Sequence, residues 1–335
     1  MHETPPAPVQ MVQLLAGFQV AQALYTCAKL GIPDQLVNGP RTSAELANAV
    51  QADPPSTTRL VRALASLGVF SNAGDGRYAL TPLGQTLVTD APGSMRDLAL
   101  MWMETHYAAF GHLAEGVRTG RPASELHYGA PFFEWISGEP EQITRFTRAM
   151  ANLTDGIKSA AAATVELTGA HTVVDIGGAD GAVLAPLLQR DESVQGIVFD
   201  LPHVVQAAEA DMKSFGLGPR LTAVAGDFFE SVPEADAYLL SMILHDWDDE
   251  HARRILANIA RAGRPGSRVV SLELVITADD QPHMAKMIDL TMLGMLTGRE
   301  RSTAELENLV TSAGLRFDGI TTTPSPMSVL HATVL

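Results

Sequence analysis

A histidine flanked by acids can take a proton from a hydroxyl, and in this sequence His245 is the residue best placed to do so. It follows the run Ser241-Met242-Ile243-Leu244 and precedes Asp246 and Trp247. An imidazole titrates near neutral pH, which suits a general base. Most histidines behind a strand are structural; this one is singled out by what surrounds it. Downstream stand Glu273, inside Ser271-Leu272-Glu273-Leu274, and Glu300, in Gly298-Arg299-Glu300-Arg301. A carboxylate on one ring nitrogen fixes the tautomer and stabilises the imidazolium. An acid inside an apolar strand also needs a buried partner. His245, Glu273 and Glu300 are therefore the candidate catalytic residues.

Upstream lie three turns that could hold a ligand, each at the end of an expected strand. The β-branched run at Val173 ends in Asp175 and passes into Gly177, Gly178 and Gly181 before an Ala/Leu-rich helix. Glycines there let a ligand approach the main chain. Asp200, in Val198-Phe199-Asp200-Leu201-Pro202, lies 23 residues after Gly177 and can accept ribose hydroxyls. Gly226-Asp227-Phe228-Phe229 offers an acid and an aromatic for an adenine amino group and face. A dinucleotide is excluded by spacing. Counting from Gly177, the second and third glycines of G-x-G-x-x-G are replaced by Ala179 and Ala182. The spacing D-x-G-x-x-x-G fits a nucleoside without a pyrophosphate, for which S-adenosylmethionine (SAM) is the candidate. The expected cofactor contacts are Asp175, Gly177, Gly178, Asp200, Leu201, Gly226, Asp227, Phe228, Ser241 and Met242.

A base and a cofactor need an acceptor beside them. Aromatic residues are only 6% of the chain, yet they concentrate with methionines and a histidine between residues 101 and 150. Most of these side chains are ordinary core. The expected pocket-lining subset is Trp102, Met103, His106, Phe132, Phe146 and Met150, with Asp246, Met287, Asp289 and Met292 from the later part of the chain. Asp248-Asp249-Glu250 is read as a helix start, with Asp248 as N-cap and the next two acids at the positive end. No metal site is expected.

From residue 172 onward strand-like runs alternate with helices, the rhythm of a doubly wound α/β sheet. The expected strands are 172–176, 195–199, Leu221–Ala225, Ala237–Leu244, Arg268–Ile276, Arg316–Thr321 and Ser328–Val334. Before them the pattern is helical. Met1 to about Val9 is Pro-rich and expected to be disordered. Gln10–Leu30 shows one long amphipathic repeat, rich enough in apolar residues to seek a partner helix. Thr42-Ser43-Ala44-Glu45 reads as a capping box, Ser56–Leu67 as a second helix, and Val69–Leu80 as a hairpin around Asn72–Gly76. That is a winged helix-turn-helix pattern. The expected domains are an N-terminal winged-helix dimerisation domain (1–100), a helical linker and pocket segment (101–165), and a Rossmann-like SAM-binding catalytic domain (166–335).

Composition narrows the function classes. The chain has 335 residues, 46% hydrophobic and 18% charged, with a net charge of −15. Residues 1–100 hold six cations against seven acids, and the winged helix offers only Arg59 and Arg62 where DNA would lie. Phosphate neutralisation needs clustered cations, so no nucleic-acid partner is expected. No uncharged apolar run reaches the ~18 residues of a membrane span, and no membrane partner is expected. Cys27 is the single cysteine, so no internal disulfide forms, and a reducing cytoplasm is the expected setting.

The segments VVDIGGADG, FDLP, GDFF, MILHDWDDEHARRIL, RPGSR and TGRERSTAELENLVTSAGL resemble the motifs of SAM-dependent O-methyltransferases of the plant caffeic-acid type and their bacterial natural-product relatives. The resemblance covers nearly the whole chain. It implies a metal-free enzyme acting on the phenolic hydroxyl of an aromatic small molecule in secondary metabolism, working as a homodimer through its N-terminal domain. It also implies SAM contacts at Gly177, Asp200, Asp227, Phe228 and Ser241, and His245 as base flanked by Glu273 and Glu300. Two positions depart from the family pattern. Ala179 replaces a usual glycine, and Ser241 stands where plant members often carry Lys. Two alternatives stay open: a SAM-binding relative with altered chemistry, decarboxylation or hydroxylation, which retention of His245 disfavours, and a winged-helix regulator that senses SAM.

Overall fold

The structure, a computed structural model, describes residues 5–153, 157–167 and 169–335. The chain divides into two compact units: Met1–Ala108 with Ile136–Leu153, and Ala109–Trp135 with Thr154–Leu335. The 101–165 segment, expected to form a linker of its own, is shared between them.

In the first unit the winged helix-turn-helix forms as read. Thr42 caps the helix Ser43–Ala49: its Oγ1 accepts the Glu45 N–H at 3.2 Å, and its own N–H donates to Glu45 Oε2 at 2.7 Å. The second helix starts earlier than expected, running Pro54–Ser66 with Asp53 as N-cap. Proline is well suited to the first helical position, where its missing N–H costs nothing. The wing is an antiparallel sheet of β1 (Arg41–Thr42), β2 (Phe70–Asn72) and β3 (Arg77–Leu80) in the order β1-β3-β2. Cys27, Ile32, Leu46, Val61, Leu64 and Phe70 form its buried core. Burial, with the charge of Asp34, pushes the Cys27 thiol up to about 12. The helix expected over Gln10–Leu30 is two, Ala7–Leu15 and Gly17–Leu30, joined at Ala16. Gly17 weakens the helix at that point. The first helix also begins inside the stretch expected to be disordered; residues 1–4 lie outside the described residues.

The second unit is a seven-stranded sheet: β4 (Thr172–Ile176), β5 (Gln195–Asp200), β6 (Leu221–Ala225), β7 (Ala237–Ser241), β8 (Arg268–Glu273), β11 (Leu315–Thr322) and β12 (Ser328–Val334), ordered β11-β12-β8-β7-β4-β5-β6. β4 to β8 run parallel; β12 is antiparallel to both β8 and β11. Both faces are covered. Val173, Leu239, Val270 and Leu272 point into one core, with helices Leu184–Arg190 and Pro202–Ser214. Val174, Tyr238, Leu240 and Val269 point into the other, with helices Asp249–Ala262 and Thr303–Ser312. Period-two alternation with apolar residues on both faces is the mark of a covered parallel sheet.

Two expected strands are shorter than read. β7 ends at Ser241, not Leu244, and the chain turns there through Met242 at φ 55°. The run Arg268–Ile276 breaks at Leu274 into β8 and β9 (Val275–Ile276). β9 leaves the main sheet and pairs in parallel with β10 (Arg301–Ser302), setting Arg301 opposite Val275.

Candidate active site

β4 connects to β5 and β6 on one side of the sheet, and β7 leads to β8 on the other, so the winding reverses between β4 and β7. Ligands of open α/β sheets bind at this switch point, beyond the carboxyl ends of the strands. The glycine turn and the His245 loop leave the sheet side by side there. Gly177 sits at φ +68°, a conformation that strains any other residue, and a Cβ on it would fall 2.6 Å from Ile243 Cδ1.

The first three turns are laced together. Gly177 N–H donates to Phe199 O at 2.8 Å, and Gly226 N–H to Asp200 O at 2.9 Å. The Asp200 carboxylate accepts the N–H groups of Ala179 at 3.0 Å and Leu201 at 2.7 Å. Ala179 itself is held at φ 48°, a left-handed conformation that a side chain disfavours. Asp227 accepts the Phe229 N–H at 2.7 Å. Phe228 and Phe229 stand edge-on to the Trp247 ring, with centroids 6.1 and 4.7 Å away. Gly178 lies over the Asp175 carboxyl. Burial, only partly offset by the Lys158 ammonium, pushes Asp175 up to about 8.

His245 rides on a one-turn 3-10 helix, Leu244–Asp246, between β7 and helix Asp249–Ala262. Its side chain is buried. Nδ1–H donates to Glu300 Oε1 at 2.7 Å, and Nε2 lies 3.3 Å from Asp246 Oδ1. Burial alone would pull the imidazole pKa down. Asp246, the hydrogen bond to Glu300 and the charges of Glu300 and Glu273 outweigh it and lift the pKa to about 9. Glu273 reaches His245 through space; its own hydrogen-bond partner is the Ser271 hydroxyl, at 2.5 Å. Burial pushes Glu273 up to about 7. The β9–β10 pair brings these two acids together from positions 27 residues apart, since it joins the residues just after each of them.

Residues 110–316 match the O-methyltransferase domain family, and residues 12–90 its dimerisation domain. This chain belongs to the O-methyltransferases. It is 36% identical over 323 residues to the phenazine O-methyltransferase PhzM of Lysobacter antibioticus, covering 96% of this chain and 95% of that one. Its fold is similar to that in the crystal structure of LaPhzM, with TM-score 0.92 at 35% identity, covering 99% of this chain and all of the other. It is also similar to an O-methyltransferase of neocarzinostatin biosynthesis in complex with SAM and 2-hydroxy-5-methyl naphthoic acid, with TM-score 0.80 at 34% identity, covering 94% and 96%.

This O-methyltransferase is SAM-dependent, and the residues at the switch point fit that cofactor. Among the described residues, two buried oxygens there lack a hydrogen-bond partner, Asp175 Oδ2 and Ser241 Oγ. Buried polar atoms are normally paired, so a polar ligand group would satisfy them. One nearby cation was not picked out from the sequence. Lys158 Nζ donates to Ser241 O at 3.5 Å; burial lowers its pKa, against the charges of Asp175, Asp246, Asp180 and Glu273. Its position, outside every motif, gave no signal.

The expected pocket-lining residues fall in both units. In the first unit, Trp102, Met103 and His106 lie on one π-helical turn, Trp102–His106, and Phe146 and Met150 on helix Pro140–Leu153. Thr105 Oγ1 sits 2.7 Å from His106 Nδ1. In the second unit Phe132 and Met292 are buried, whereas Met287 is 65% exposed. Asp289 Oδ1 accepts the Glu300 N–H at 3.0 Å, so this carboxylate supports Glu300. Asp248 accepts the His251 N–H at 2.9 Å as an N-cap. Asp249 is taken by Arg299 at 2.6 Å and Arg301 at 2.9 Å.

Proposed function

We propose that this O-methyltransferase methylates a phenolic hydroxyl on an aromatic small molecule of secondary metabolism, with His245 as general base. The observation that carries the reading is the buried Nδ1–H···Glu300 bond of 2.7 Å beside the cofactor turn. That bond commits Nδ1 to donation and leaves Nε2 as the proton acceptor. Bound SAM supplies an electrophilic methyl on a sulfonium. With the cofactor bound, His245 Nε2 would take the proton of the acceptor hydroxyl, leaving its oxygen free to accept that methyl. Glu300 orients the ring, and Asp246 and Glu273 stabilise the imidazolium that results. General-base catalysis of this kind contributes roughly 10²–10⁴-fold. Asp175, Asp200, Asp227, Phe228 and Ser241 hold the cofactor's polar groups and adenine.

An aromatic acceptor is supported by the relatives. One is named for a phenazine, and another was solved with a hydroxynaphthoic acid. A homodimer is supported by the matching dimerisation domain and by the N-terminal helices, whose Met11, Val12, Leu14, Leu15 and Phe18 are exposed. In the first of these helices, Ala7–Leu15, no residue is buried.

The test is a panel of phenols with methyl-labelled SAM, run on the wild type and on His245→Ala. Transfer by the wild type and a loss of roughly 10²-fold or more in the variant is the expected result. Undiminished transfer by His245→Ala would overturn the base. No transfer to any phenol, together with no SAM binding by calorimetry, would overturn the whole reading.

A further inference from the structure

The turn that carries His245 is three residues long and makes few backbone bonds of its own: Asp246 N–H donates to Ile243 O at 3.2 Å and Trp247 N–H to Leu244 O at 3.4 Å, and the carbonyls of Leu244 and Trp247 take further donors. Arg301 supplies them. Its Nη1 donates to Leu244 O at 2.8 Å and its Nη2 to Trp247 O at 2.8 Å. Its Nε donates to Asp249 Oδ1 at 2.9 Å. The side chain is 2% exposed, and its charge is balanced by Asp249. A guanidinium is planar, so three such bonds fix the turn in orientation as well as in position. On the other side the turn is closed by Gly298: a Cβ there would fall 2.0 Å from His245 O.

We infer that Arg301 is the positioning residue that aims His245 Nε2 at the acceptor hydroxyl. This rests on His245 acting as base. Glu300 holds the imidazole and Arg301 holds the backbone beneath it, so two consecutive residues fix the base at both ends. β10 begins at Arg301, and its pairing with β9 anchors both to the end of β8. The groups facing the imidazole are Glu300 from this segment, Asp246 from the turn and Glu273 from β8, with Lys158 beyond Asp246 and Glu273. A base displaced by about 1 Å loses on the order of 10²-fold in rate, with little effect on cofactor binding.

The experiment compares Arg301→Lys with wild type in the full-length enzyme, with and without His245→Ala. Lysine keeps the charge but cannot span both carbonyls. The expected result is a fall in kcat of roughly 10–100-fold, a SAM dissociation constant within about threefold of wild type, and a shifted ascending limb in the kcat pH profile. In the His245→Ala background the same change should have no further effect. An unchanged kcat and pH profile would overturn the inference, as would an equal loss in both backgrounds; either leaves the base assignment standing. Activity in His245→Ala alone would instead remove the base. Should Arg301→Lys not fold, Asp249→Ala loosens the same fork from its exposed end. It is expected to lower kcat and shift the limb in the same direction, and no change in either would overturn the inference.

Discussion

At the scale of single residues, the proposed base, His245, is defined by what its neighbours do to its charge. His245 is held protonated up to about pH 9 by Asp246, Glu300 and Glu273 acting against burial. A base must be neutral to accept a proton, so kcat/KM should climb with pH toward that value, since this parameter reports the free enzyme. Replacing Glu300 by Gln removes one of the charges that raise the pKa while keeping the shape. The ascending limb should then move to lower pH by about 1–3 units, and the plateau rate should fall because the imidazolium is less stabilised. A limb that stays in place in Glu300→Gln would show that Glu300 does not set this equilibrium. Arg301 belongs to the same scale but escapes sequence reading. Its acceptors lie 57 and 54 residues away, at Leu244 and Trp247, and no local pattern encodes a bond of that span.

At the scale of elements, what could be read was what repeats or caps locally. β4 and β6 were delimited correctly because each run passes directly into a glycine, Gly177 and Gly226. The capping box at Thr42 needed only four residues and the N-cap at Asp248 only three. The break at Ala16 and the departure of β9 from β8 were missed: Gly17 marks the first, but the apolar repeat resumes at Phe18, and Leu274, Val275 and Ile276 carry apolar character straight through the second. The glycine turn, read from the sequence as a ligand turn, has an atypical letter, Ala179, with a physical cost. Its φ of 48° is disfavoured for alanine by about 1–2 kcal/mol, part of which returns through the freedom glycine gains in the unfolded chain. Ala179→Gly should therefore raise stability by about 0.5–1 kcal/mol in chemical denaturation, with the Asp200 contact kept by the main-chain N–H. A loss of stability of that size would show that the methyl packs usefully.

At the scale of the whole molecule, buried acids and His245 titrate in the same direction, Asp200 and Asp246 among them, while the buried Lys158, lowered by burial, opposes them. Asp175 is raised from 3.8 to about 8, Glu273 from 4.5 to about 7, and His245 from 6.5 to about 9. Each holds its proton more tightly when folded. The contribution of His245 is complete below about pH 6.5 and is lost as pH rises through 9. The two acids penalise folding progressively from pH 4–5 up to 7–8. Unfolding free energy of the cofactor-free protein should thus fall between pH 6 and 9, by about 1.4 kcal/mol per unit for each group titrating alone. The net charge of −15 acts in the same direction. Urea denaturation at pH 6, 7.5 and 9 measures this, and a midpoint that rises with pH would contradict it.

The two-residue ladder between β9 and β10 has a consequence for how such an enzyme changes its acceptor. It closes the neck of a long excursion, residues 277–300, that contains helix Met284–Met295 and returns to Glu300. Below the neck lie the strand ends and the base; above it lies a segment whose composition can drift. Glu300 at its end, Asp289, which braces Glu300, Gly298, which presses on the His245 turn, and Arg299, which shares Asp249 with Arg301, tie the excursion to the His245 site; among its described residues the rest make none of these contacts. New acceptor preferences could accumulate there while the catalytic core is inherited intact.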